Sequence, residues 1–138
     1  VIVIFSGSFV EYKMNLFSIF LLALFPVYGY PLDWKKIAEN DVGSYYIDFD
    51  SLKNKNGLIY YTDPVDFNEP FKGDYSAISR YAVDCKNESQ KWLSLTTFSK
   101  SMGKGDINNQ SNPNEIIFPQ SKTIYFFIIK NVCNYRKP

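Results

Sequence analysis

Between Tyr75 and Cys85 the chain alternates: Ala77, Ser79, Tyr81, Val83 and Cys85 fall on one side, and Ser76, Ile78, Arg80, Ala82 and Asp84 on the other. A two-residue period carried by β-branched and aromatic side chains predicts a strand buried mainly on one face. The segment Asp33 to Ala38 reads as a first strand, with Trp34 and Ile37 reaching the core, and Ser44 to Phe49 as a second. The turn cluster Asn40 to Gly43 between them predicts a hairpin. Asp48 and Ser51, three apart, suit a local side-chain cap on a short turn ending at Leu52. Lys53 to Gly57 is polar and turn-like, and Leu58 to Thr62 reads as the next strand. After the turn Lys86 to Ser89, Gln90 to Ser99 returns as a partner strand. In it Trp92, Ser94, Thr96 and Phe98 alternate against Leu93, Leu95 and Thr97.

Two polar stretches interrupt the pattern. Asp63 to Asp74 holds two prolines and a glycine among carboxylates and amides, and reads as a long exposed loop. Ser101 to Gly105 reads as a flexible corner, a short strand is expected near Asp106 to Asn108, and Asn109 to Asn114 as a second loop. Ser121 to Cys133 fits two periods. Its Thr-Ile-Tyr-Phe-Phe-Ile-Ile run suits a strand, while Pro119-Gln120-Ser121 resembles a helix start with Ser121 as N-cap. On a helix, Ile124, Ile128 and Val132 would form one row, and Tyr125, Ile129 and Cys133 the next.

The apolar run Leu16 to Phe25 has the length of a signal-peptide core and is too short to span a bilayer. Val27 and Gly29 have the small-residue spacing of a cleavage site. The chain therefore divides into an upstream extension (1–13), with Met14 as the expected start, a signal peptide (14–29) and one domain (30–138). An uncleaved anchor helix is the competing reading. Once cleaved, the domain spans no membrane, and it belongs in the periplasm or on the outer cell surface.

Composition narrows the function. A net charge of +1 gives no general electrostatic reason to expect nucleic acid. Histidine is absent, which removes Ser-His-Asp and Cys-His catalysis and the commonest zinc site. No enzyme, catalytic residue, metal or cofactor is expected. Aromatic residues reach 18%, which suits a β-rich core, with an aromatic ligand-binding face as the sharper alternative. Cys85 and Cys133 form an even pair in an exported chain, the usual setting of a structural disulfide.

Trp34, Tyr45-Tyr46-Ile47-Asp48 with Ser51-Leu52, Tyr75-Ser76, Val83-Asp84-Cys85-Lys86, Met102-Gly103-Lys104-Gly105, Pro119-Gln120-Ser121 and Val132-Cys133 occur in that order. Together they resemble the surface-adhesin E (protein E-like) domain of Gram-negative bacteria, over essentially the whole of residues 30–138. Two departures stand out: Ile116-Ile117-Phe118 replaces a tryptophan often seen before the Pro-x-Ser step, and Gln120 stands where glycine is usual. The resemblance implies an α+β fold: a single antiparallel β-sheet with a C-terminal helix packed on one face and tied by the disulfide. It favours helix for Ser121 to Asn131.

The family name implies a non-enzymatic adhesin contacting host matrix proteins. A periplasmic accessory module binding a small molecule or another envelope protein is the alternative, supported if Tyr45, Tyr60, Tyr61, Tyr75 and Trp92 form an exposed cluster. A homodimer is left open. Candidate binding residues are Asp66, Asn68, Glu69 and Lys72 in the first polar stretch, and Asn109 and Asn112 in the second. Lys130, Arg136 and Lys137 at the basic end would suit an acidic or sulfated partner. Asp48 and Asp50 form an Asp-x-Asp that suits capping better than a hydrolase carboxylate pair. Asp84 is expected to pair with Arg80 or a lysine, and Gly103-Lys104-Gly105 to be a turn rather than a phosphate loop.

Overall fold

Short turns with positive φ set the strand ends. A computed structural model describes Val3–Phe5, Ser8–Val10 and residues 33–138. The expected signal peptide and its Met14 start lie outside the described residues. Strands β1 (Val3–Phe5) and β2 (Ser8–Val10) pair antiparallel in a unit of their own. The second unit, from Leu32 to Pro138, contains β3 (Trp34–Glu39), β4 (Gly43–Asp48), β5 (Lys53–Lys55), β6 (Leu58–Phe71), β7 (Asp74–Asp84), β8 (Ser89–Phe98), β9 (Ile107–Ser111), β10 (Glu115–Ile117) and the helix α1 (Ile124–Asn134). The strands form one antiparallel sheet in the order β10-β8-β7-β6-β4-β3, with β5 also on β6 and β9 also on β8.

The β3–β4 turn forms as expected: Asn40 Oδ1 accepts from the N–H groups of Val42 (2.9 Å) and Gly43 (3.2 Å). A Cβ on Gly43 would lie 2.2 Å from the Asp66 carbonyl oxygen, so glycine alone lets β4 start against β6. Asn56-Gly57 and Lys72-Gly73, all with positive φ, close the two-residue hairpins β5–β6 and β6–β7. At the end of β7, Asp84 Oδ1 accepts from the N–H groups of Lys86 and Asn87, and Asn87 Nδ2 donates to Oδ2. These bonds, Asn87 foremost, hold the Asp84 carboxyl below its ordinary range. Asp84 caps a turn and does not pair with Arg80 or a lysine. Ser51 Oγ donates to the Asp48 carbonyl (2.7 Å) across the short 3-10 turn Phe49–Ser51.

Several strand and helix bounds need correction. The stretch from Asp63 is strand up to Phe71, not loop. Its prolines are tolerated because the β4–β6 register ends at Tyr45–Val65, beside Pro64, and the β6–β7 register is irregular between Asp66 and Phe71, where Pro70 falls. Asn109 to Ser111 is likewise strand, on the β8 edge. In β8 the alternation breaks at a bulge: Tyr81 pairs with Trp92 but Arg80 with Ser94, leaving Leu93 extra. Beyond it Leu95 and Thr97, not Ser94 and Thr96, share the face of Trp92. The helix starts at Ile124 with Thr123 as N-cap, whose Oγ1 accepts from the Phe126 N–H (3.3 Å). Lys122, with φ +68°, separates Ser121 from the helix.

One buried cluster joins Tyr45 and Ile47 of β4, Tyr61 and Val65 of β6, and Tyr81 and Val83 of β7 with Leu52 and with Ile128, Ile129 and Val132 of α1. The two helical rows read from the sequence supply those last three side chains. Rings line up across neighbouring strands: Tyr61 stacks on Tyr81 at 5.4 Å between centroids, and Tyr81 on Trp92 at 6.1 Å. A disulfide joins Cys85, just after β7, to Cys133 in the last turn of α1.

The opposite face is covered by the turn Ser101–Gly103. Met102 N–H donates to Asp66 Oδ1 (2.8 Å), Gly103 N–H to Ser76 Oγ (2.8 Å), and Ser76 Oγ to the Lys100 carbonyl (2.6 Å). This corner is pinned, not flexible. Trp34 belongs here and not to the buried cluster: its ring and Ile78 are the atoms that a Cβ on Gly103 would meet, at 3.1 and 2.9 Å. Gly103 also has φ +68°. The variant Gly103→Ala is therefore expected to lose about 1–2 kcal/mol, read as an earlier urea midpoint with an unchanged slope.

Candidate binding groove

Hairpin geometry and the C-terminal tail gather basic residues from three segments at the β5 end of the sheet. The Asn56-Gly57 turn sets Lys53 opposite Tyr60 and Lys55 opposite Leu58. Tyr60 in turn lies opposite Ala82 of β7, two residues from Arg80. Lys53, Lys55, Tyr60 and Arg80 thus share one face, with Lys53 and Arg80 about 10 Å apart across β6. From beyond α1, Tyr135, Arg136 and Lys137 return to the same place and complete a groove of about 870 Å³.

Its accessible apolar lining comes from the half-buried Ile59, Tyr60 and Tyr135, with Leu52 and Val132 buried behind them. Tyr135 is held by its stack on Phe49 at 4.6 Å. Arg136 Nη1 donates to the carbonyls of Cys133 (3.2 Å) and Tyr135 (3.1 Å), satisfying acceptors at the helix end. Five cations line the groove and no carboxylate does. The two ion pairs among the described residues, Lys36–Glu39 and Lys130–Glu88, involve none of the five. The groove therefore offers an incoming group concentrated positive charge and ring faces.

The nine candidate residues do not gather in one place. Asp66 anchors the Met102 turn, and Asn68 Nδ2 donates to the carbonyls of Asn40 and Asp41, both at 3.1 Å. Glu69 borders a shallow hollow with Val42, Phe67 and Phe71 at the tip of the β6–β7 hairpin, where Lys72 sits over the Phe71 ring. Asn109 and Asn112 are exposed along the β9 edge. Lys130 is engaged by Glu88 and lies 5.1 Å above the Phe126 ring. Only Arg136 and Lys137 reach the groove. The hairpin tip is roughly 35 Å along β6 from Tyr60, so the first group and the groove form separate surfaces. Of the other groove residues only Tyr60 was a candidate in the sequence, as part of an aromatic cluster; Lys53, Lys55 and Arg80 were not.

The rings proposed as an exposed cluster are dispersed. Tyr45 and Tyr61 are buried, Trp92 is half-buried beside Tyr81, Tyr60 lines the groove, and Tyr75 is exposed elsewhere. Trp92 Nε1 is satisfied by Ser79 Oγ and the Ser94 carbonyl, both at 3.2 Å, as expected of a core tryptophan. Among the described residues no cluster of three or more Cys, Asp or Glu could hold a metal ion. No helix among them is long and apolar enough to cross a membrane.

The family described as Surface-adhesin protein E matches residues 34–134. Solved structures of Haemophilus influenzae protein E are similar in fold. One has a TM-score of 0.54 at 15% identity, covering 74% of this chain and 85% of that one. Its crystal form II gives 0.54 at 16%, covering 72% and 86%. Protein E from non-typeable Haemophilus influenzae gives 0.52 at 17%, covering 72% and 74%. No curated protein matches the chain.

Proposed function

The chain belongs to the surface-adhesin protein E family, and from that footing we propose that it is an exported, non-enzymatic domain displayed on the outer cell surface, where it contacts a protein of the host matrix. The observation that carries this reading is the family match, which spans both cysteines and every strand from β3 to β10. The disulfide supports it, because such bonds persist in oxidising compartments outside the cytoplasm. In this reading α1 lies across one sheet face as a fixed cover. The burial of Ile128, Ile129 and Val132 with Tyr45, Tyr61 and Tyr81 supports that placement. The contact surface is then left to the sheet ends and the unpaired cations.

Protease treatment of intact cells, compared with cells whose outer membrane has been opened, tests the placement. Digestion on intact cells is the expected result. Protection until the membrane is opened would overturn surface display and favour the periplasmic accessory module.

A further inference from the structure

We propose that the groove at the β5 end binds a sulfated polysaccharide chain. This rests on the binding-domain reading only in taking the groove as a contact surface. It does not depend on where in the envelope the domain resides.

Charge comes first. Lys53, Lys55, Arg80, Arg136 and Lys137 line one depression, with no carboxylate among the lining residues to neutralise them. Gathering like charges is unfavourable for the isolated fold, and an anion relieves it. Lys53, Lys55, Arg80, Arg136 and Lys137 are all exposed, so their ammonium and guanidinium groups are within reach of a ligand.

The kind of anion follows from the other lining groups. Three of the five cations are lysines, compact charges that meet anions scattered along a chain; a single carboxylate or phosphate is better held by converging arginine forks. Lys53 and Arg80 rise from backbone positions about 10 Å apart across β6, and Lys55, Arg136 and Lys137 add charge at further points around the depression. Between them lies the half-buried Tyr60 ring and, toward the tail, the half-buried Ile59 and Tyr135. Sugar rings present C–H faces to surfaces of this kind while their sulfates project sideways to a basic rim. An acidic peptide matches the rim but makes no particular use of the floor.

The test is calorimetric titration of the purified, disulfide-intact protein with a heparin-derived hexasaccharide at 50 and 200 mM NaCl. Binding is expected at the lower salt, weakened tenfold or more at the higher, because several cations release counterions together. The double charge reversal Lys53→Glu/Arg80→Glu is expected to weaken binding at least tenfold. Both side chains are exposed and make no ion pair, so the thermal midpoint should hold. The matched reversal Lys100→Glu/Lys104→Glu, at exposed positions away from the groove, should leave binding unchanged. A hyaluronan hexasaccharide, which carries carboxylates but no sulfate, should bind at least tenfold more weakly.

No heparin binding at 50 mM NaCl would overturn the proposal, as would equal loss from the two double reversals. Polyglutamate binding as tightly as the hexasaccharide would replace the glycan with an acidic peptide. Because this titration uses purified protein, a periplasmic result in the protease experiment would leave it standing, and failure here would leave surface display untouched.

Discussion

Replacing Cys85 and Cys133 together by alanine is expected to remove about 4 kcal/mol of folding stability. The bond closes a loop with a sequence separation of 48 residues, and freeing it returns that conformational freedom to the unfolded chain. A domain of this size has in total about 5–15 kcal/mol, so the loss is a large fraction. The bond also fastens the last turn of α1 to the end of β7, the only covalent tie between helix and sheet other than the chain itself. Urea unfolding followed by far-ultraviolet circular dichroism should show the midpoint falling by about 2 M, with a steeper slope because the unlinked chain exposes more surface. A loss below about 1 kcal/mol would show that burial of Ile128, Ile129 and Val132 holds the helix alone.

The second large effect concerns Asp63. It faces the core from the middle of β6, is 1% exposed, and has no hydrogen-bond partner for either carboxylate oxygen among the described residues. Burial drives its carboxyl well above the ordinary value of 3.8, and so favours the neutral acid in the folded protein. Since the folded state holds this proton more tightly than the unfolded chain, the contribution to stability is complete below pH 3.8 and is lost as pH rises toward the folded-state value. Asp63→Asn removes the titration and keeps the shape. The variant is spared the cost of keeping that carboxyl protonated, so it should be more stable at pH 7 by up to about 4 kcal/mol, at about 1.4 kcal/mol per pH unit above the ordinary value, and its advantage should vanish near pH 3.5. Thermal midpoints at pH 3.5, 5 and 7 for both proteins decide it. A variant less stable at pH 7 would mean that the carboxylate is ionised and stabilising.

The same arrangement explains the neighbouring phenols. Burial raises Tyr81 above its ordinary value and lifts Tyr125 as well, with Asp63 adding to both. Tyr81 stays neutral as a core side chain, whereas Tyr125 remains exposed with its ring edge against Tyr45 and Tyr81.

Much of the fold was legible where local signals agreed. Alternation placed β4, β7 and the start of β6, and Asn40 to Gly43 marked the first turn. The disulfide followed from two cysteines and an apolar leader. What failed depended on partners distant in sequence. Pro64 and Pro70 resemble loop residues until the neighbouring strands are known to release the ladder beside them. The Leu93 bulge is set by register against β7, which periodicity within β8 does not report. Trp34 goes to the far face because the Ser101–Gly103 turn covers it there.

The groove was half visible. Arg136 and Lys137 stood out as a basic tail, whereas Lys53 and Lys55 looked like turn residues and Arg80 like an ion-pair partner. One local signal reaches further: a two-residue turn at Asn56-Gly57 is enough, by counting back along both strands, to set Lys53 opposite Tyr60. Arg80 needs the β6–β7 register, which the irregular hairpin obscures.

The sheet's two borders carry a consequence for how copies of the chain meet. On one side the outer strand is cut into Ile107–Ser111 and Glu115–Ile117, with Pro113 in the gap. On the other, β3 has a bulge after Lys36 and presents Lys35 and Lys36 to solvent. A second molecule adding itself as a further strand would meet a run of five residues, then a break, or a kinked and charged border. Among the described residues neither of these two borders offers a long straight template, so neither favours edge-to-edge stacking of copies.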